Sequence, residues 1–64
     1  MVRWVTVDSE RVELLDATCG WREDKYGLIH KECCATVKDR SGNIKSFCCS
    51  EIEMDEILKT ERYD

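Results

Sequence analysis

Cys33-Cys34 and Cys48-Cys49 lie on either side of the segment Asp39-Arg40-Ser41-Gly42-Asn43, so a single chain reversal there gathers four thiols. Asp-Arg-Ser-Gly-Asn suits a type I turn followed by glycine in a left-handed bulge, and this predicts a β-hairpin with arms Leu28 to Asp39 and Asn43 to Ser50. With Asp39 opposite Asn43, counting outward sets Val37 against Lys45, Ala35 against Phe47, Cys34 against Cys48 and Cys33 against Cys49. Side chains alternate along a strand, so Cys33, Ala35, Val37, Phe47 and Cys49 share one mostly apolar face that belongs in the core. Cys34, Thr36, Lys38, Ser46 and Cys48 share the other, mostly polar face.

Sixty-four residues make one domain. A chain this short hides only about 60% of the surface its unfolded form exposes. Disulfides, a structural metal or a partner chain are the usual supplements, and five cysteines point to the first two. Three readings of the thiols compete: burial as small hydrophobes, metal ligation and disulfide formation. Neighbouring residues on a strand point to opposite faces, so a vicinal pair does not give both sulfurs to one tetrahedral site. A mixed zinc site therefore takes one cysteine from each arm, Cys34 and Cys48, with His30 on the same hairpin face and Cys19 closing the set. As a disulfide, Cys34–Cys48 is favoured because directly opposed residues of an antiparallel pair meet bridging distances; it would leave Cys33 and Cys49 in the core.

Elsewhere, Val2 to Val7 has the β-branched and aromatic composition of a strand. Ser9 to Thr18 reads two ways: a helix capped by Asp8 or Ser9 and ended before Gly20, or a strand over Arg11 to Leu15. Trp21 to Gly27 reads as a charged connection or turn. Ser50-Glu51-Ile52-Glu53 is a capping-box pattern that predicts a helix to about Arg62, with Met54, Ile57, Leu58 and Ile52 as its apolar stripe. Of the aromatics Trp4, Trp21, Tyr26, Phe47 and Tyr63, most are expected in the core. No repeat is expected. The fold class is a small β-rich α+β domain: an antiparallel sheet built on a central hairpin with a C-terminal helix. If Arg11 to Leu15 is a strand, a partly open SH3-like barrel becomes the attractive form.

Function is read mainly by exclusion. His30 is the sole imidazole, and no oxyanion-hole pattern or Gly-rich loop accompanies it, so a cysteine enzyme is not expected. No stretch approaches the ~20 apolar residues of a membrane-spanning helix, and Arg3, Thr6 and Asp8 break the apolar run that a signal peptide requires, which places the expected location in the cytoplasm. Fourteen acidic against ten basic residues give a net charge of −4, unfavourable for phosphate backbones. The expected function is that of an acidic, non-enzymatic module that binds and modulates another protein with a basic surface. By analogy, compact acidic modulators of this sort include phage or mobile-element inhibitors and nucleic-acid decoys. Trp21 and the acidic run Glu51, Glu53, Asp55 and Glu56 are the candidate contacts. The alternative is a thiolate zinc or redox module.

Overall fold

The computed structural model describes residues 1–64 and has the element order β1 (Arg3–Val7), β2 (Glu10–Glu23), β3 (Ile29–Lys38), β4 (Ile44–Ser50), α1 (Glu51–Lys59) and β5 (Arg62–Tyr63). The strands form one antiparallel sheet in the order β4-β3-β2-β1-β5. This is the β-rich α+β architecture expected from the sequence. The sheet stays open, since its edge strands β4 and β5 do not pair with one another. Ser9 to Thr18 belongs to a strand, and the β1-to-β2 reversal is made by Asp8 and Ser9 at φ 50 and 66 rather than by a helix cap.

The predicted hairpin forms with the predicted register: Cys33 opposes Cys49, Cys34 opposes Cys48, Ala35 opposes Phe47 and Val37 opposes Lys45. Its inner face supplies buried Cys33, Ala35 and Val37, with Phe47 and Cys49 packed against them. Val5, Val12, Leu14 and Met54 complete the buried set. No aromatic ring is among these residues: Trp4 and Phe47 are half-buried, while Trp21, Tyr26 and Tyr63 are exposed. The expectation of an aromatic core fails because one short helix over one sheet leaves a thin layer. Valine, alanine and cysteine, with Leu14 and Met54, fill that layer.

A β-bulge in β2 decides which of its residues reach this core. Leu14 pairs with Val37 but Asp16 pairs with Thr36, so Leu15 is an extra, exposed residue. An unpaired residue reverses the alternation beyond it. Before the bulge the inward positions are Val12 and Leu14; after it they are Ala17, Cys19 and Trp21, opposite Ala35, Cys33 and Lys31.

The connection expected at Trp21 to Gly27 is shorter than that. β2 runs through Glu23, and only the turn around Asp24 to Leu28 reverses the chain. The Asp24 carboxylate accepts hydrogen bonds from the backbone N–H of Tyr26 (2.8 Å) and Leu28 (3.0 Å), and Gly27 has φ 81. The second hairpin repeats this turn. Asp39 accepts from the N–H of Ser41 and of Asn43, each at 2.9 Å, and Gly42 has φ 89. A residue other than glycine at either position would be strained by its Cβ.

These turns are parts of a tandem repeat, against the expectation that none exists. Cys19, Asp24, Gly27, Ile29 and Cys33 recur fifteen residues later as Cys34, Asp39, Gly42, Ile44 and Cys48. Each unit is one hairpin, and the two abut at Cys33-Cys34. Only five residue identities recur across a span this short, which is why no periodicity stands out in the sequence alone.

Helix α1 starts as predicted: Ser50 is its N-cap, and its hydroxyl accepts from the Glu53 N–H at 3.2 Å. It ends at Lys59 rather than near Arg62. The Thr60 N–H closes on the Ile57 carbonyl, and the Thr6 N–H donates to the Thr60 hydroxyl at 2.8 Å. The helix end is thereby tied to β1, and Arg62–Tyr63 pairs with Trp4 and Arg3 as β5. Met54 is buried, Ile57 and Leu58 are half-buried, and Ile52 points to solvent, so the apolar stripe has three members.

Candidate functional site

The cysteines form two disulfides on opposite faces of β3. Cys33 is bonded to Cys19 of β2 and Cys34 to Cys48 of β4, with Cα separations of 4.0 and 3.9 Å. The Cys34–Cys48 bridge is the one anticipated from the hairpin. Cys33 is not left as a core thiol, because the bulge in β2 turns Cys19 onto its face. Both bridges close the same sequence separation of 14 residues and occupy equivalent places in the two repeat units. Cys49 begins where a third unit would, but α1 follows in place of another hairpin. It stays a half-buried thiol on the inner face. Burial, with Glu53 and Glu32 adding repulsion, pushes this thiol above the usual range for cysteine.

Of the four residues considered as zinc ligands, the structure brings together Cys34 and Cys48 only. Cys19 faces the other side of the sheet, against Cys33. His30 is exposed four residues along β3 and pairs across to Arg22. The third potential ligand beside Cys34 and Cys48 is Glu32: the three ligand atoms lie within 4.8 Å of one another. The signal for Glu32 is strand parity, which puts it two residues from Cys34 on the same face, although a carboxylate is a harder ligand than the cysteine and histidine set predicted from the sequence. Glu32 also pairs with Arg22 at 3.2 Å. While the Cys34–Cys48 bond persists, its sulfurs are not thiolates, so this group can hold a metal only in reduced protein.

The second candidate surface is the far end of the first hairpin. β4 pairs with β3 only from Glu32 to Lys38, and β1 reaches β2 only from Glu10 to Glu13. Gly20 to Glu23 and Ile29 to Lys31 therefore form a two-stranded arm, which accounts for the elongated outline of 41 × 22 × 21 Å. It carries Trp21 (74% exposed), Tyr26 (77%), Leu28 (65%) and Ile29 (69%). Trp21 and Ile29 share the face on which α1 sits. Lys31, directly across from Trp21, reaches Glu51 of the helix at 3.0 Å. The acids Glu51, Glu53, Asp55 and Glu56 are all exposed on α1, so the aromatic and acidic candidates adjoin on one side of the molecule.

A groove of ≈ 390 Å³ runs between α1 and the sheet, lined in part by Val7, Val37, Phe47, Cys49 and Ile57, where the nine-residue helix is too short to cover the inner face. No helix of the chain is long and apolar enough to cross a membrane. Compared with known protein families, curated proteins and solved structures, the chain matches none.

Proposed function

We propose that this chain is a small, acidic, non-enzymatic module that binds and modulates another protein, engaging it with the face shared by the two-stranded arm and α1. The observation that carries this reading is the arm itself. Four large apolar side chains stand exposed on a hairpin that contributes little to the core. Solvent-exposed aromatic and aliphatic residues grouped in this way mark contact surfaces, and tryptophan is enriched among the residues that dominate binding energy. The adjoining acids Glu51, Glu53, Asp55 and Glu56 favour a partner with an apolar cleft flanked by basic residues. An inhibitor that acts by occupying such a cleft needs no chemistry of its own. Lys31 and Lys59 interrupt the negative surface, which suits a protein ligand better than a uniform phosphate decoy.

The test compares partner recovery by wild-type protein and by a Trp21→Ala/Ile29→Ser variant of unchanged circular dichroism. A partner retained by wild type and lost by the variant supports the reading; equal recovery by both, or none by either, removes it. A cytoplasmic location belongs to the same proposal. Acid quenching of freshly lysed cells tests it: four thiols at the paired cysteines agree with a reducing cytoplasm, and recovered bridges place the protein in oxidising surroundings.

The Glu32, Cys34 and Cys48 group favours a second reading, a zinc-binding module in the reduced state. Native mass spectrometry of reduced protein with added zinc decides it. One zinc, lost in Cys34→Ser/Cys48→Ser, supports the reading; a metal-free folded protein ends it.

A further inference from the structure

Cys19, Cys33 and Cys49 occupy three successive strands at one level of one face. Cys33 opposes Cys19 on β2 and Cys49 on β4. Its sulfur is bonded to Cys19, while Cys49 remains a thiol. We propose that Cys33 is a shared sulfur, so that the chain interconverts between a Cys19–Cys33 isomer and a Cys33–Cys49 isomer by internal thiol–disulfide exchange.

The step balances without an added oxidant or reductant. The Cys49 thiol loses its proton to solvent and its thiolate attacks Cys33 Sγ. The Cys33–Cys49 bond forms as the Cys19–Cys33 bond breaks, and the electron pair of the broken bond leaves on Cys19 Sγ, which takes up a proton. One thiol and one disulfide are present before and after.

Strand order fixes which sulfur is attacked. Thiolate, central sulfur and leaving sulfur must lie roughly in line, and β4, β3 and β2 are laid side by side in that order. Neighbouring strands lie about 4.8 Å apart, so Cys19 is about two spacings from Cys49 and only Cys33 is within reach. The second bridge cannot compete, because Cys34 and Cys48 face the other side of β3 and β4. Pair geometry also admits the product. The Asp39 N–H donates to the Asn43 carbonyl, and hydrogen-bonded pairs then alternate along the hairpin to include Cys33 and Cys49. Such pairs have Cα atoms about 5.5 Å apart, inside the range that disulfides span, but their Cβ atoms lie near the wide end of the cross-strand range, about 5.5 Å, so the two strands must draw together by about 1 Å as the Cys33–Cys49 bond forms.

Exchange changes what the surface offers. Cys49 is half-buried beside the groove under α1, whereas Cys19 is exposed, two residues from Trp21 and on the same face. The exchanged isomer thus places a solvent-accessible thiol on the arm, a site for modification or for a mixed disulfide. This inference concerns the oxidised chain: it is independent of which surface binds a partner, and it operates only where the Cys19–Cys33 bridge is formed.

Oxidised wild-type protein, carrying one thiol, is held at pH 6 to 9, quenched in acid, labelled with a maleimide active at low pH and mapped without reduction. The expected result is label divided between Cys49 and Cys19, together with a Cys33–Cys49 linked peptide. Its rate of appearance should rise roughly tenfold per pH unit while the thiolate is the minor form. Burial and the charges of Glu53 on α1 and Glu32 on β3 hold Cys49 protonated, so this rise should continue beyond the usual thiol range. In Cys49→Ala both the Cys19 label and the new peptide should vanish. Label confined to Cys49 at every pH overturns the proposal. In a second arm, oxidised Cys19→Ser should bridge Cys33 to Cys49; two persistent thiols there, with Cys34–Cys48 formed, overturn it equally. Should that variant not fold, the wild-type mapping decides alone.

Discussion

Cys33 and Cys34 are neighbours in the chain, yet their sulfurs leave opposite faces of β3 and bridge in opposite directions, Cys33 to β2 and Cys34 to β4. Three strands are thereby cross-linked through one dipeptide. Because both bridges close loops of the same length, they should restrict the unfolded chain about equally, by about 3 kcal/mol in the loop-entropy picture. Cys34→Ala/Cys48→Ala should lose about this amount in urea unfolding of oxidised protein. Cys19→Ala/Cys33→Ala should lose more, since Cys33 is fully buried and its removal also thins the core.

The turn at Asp39 should make stability sensitive to acid. Hydrogen bonds from the backbone, led by the Asn43 N–H, and the nearby Lys45 ammonium hold the Asp39 carboxyl below its usual range. A depressed folded-state value means that the ionised form stabilises the hairpin above about pH 4, and that this contribution is lost as pH falls through the lower folded value. Asp39→Ala should reduce stability at pH 7 and shrink the difference in urea midpoint between pH 7 and pH 2.5. An unchanged difference would show that Asp39 is not the titrating group.

Met54 is the one buried residue of α1. Met54→Ala should cost about 2–5 kcal/mol, the range for truncating a large core side chain. Ile52, 74% exposed in the first turn of α1, should tolerate alanine within about 0.5 kcal/mol. Thermal or urea unfolding of the two variants checks the contrast, and equal losses would contradict the packing of the helix.

Trp21 should be dispensable for folding. Trp21→Ala should keep stability within about 0.5 kcal/mol, because the side chain has little packing to lose. Quenching by acrylamide should be stronger for Trp21, measured in Trp4→Phe, than for half-buried Trp4, measured in Trp21→Phe. The reverse order would mean that the arm folds back onto the core.

Much of the second hairpin was legible in the residues. Asp39 and Gly42 specify their turn locally, and the turn fixes register for Cys33, Cys34, Cys48 and Cys49 because each later pair follows by counting. Ser50 marks the start of α1 for the same reason: a cap depends on residues a few positions away. The end of α1 was not legible, since it is set by Thr60 meeting the Thr6 amide from the other end of the chain. The zinc candidates failed to gather for a related reason. His30 was placed by parity alone, which gives a face and not a distance, and Cys19 lay on a strand whose partner was unknown.

Sequence by itself therefore determined the Asp39–Asn43 reversal, the register and the inward set of the β3–β4 pair, all of which depend on short-range turn chemistry and a side-chain period of two. Tertiary structure alone decided the partner of Cys19. The bulge at Leu15 reverses the facing of the remainder of β2, so that Val12 and Leu14 on one side of it and Ala17 on the other all join the core cluster, while Cys19 meets Cys33 of β3 on the same face.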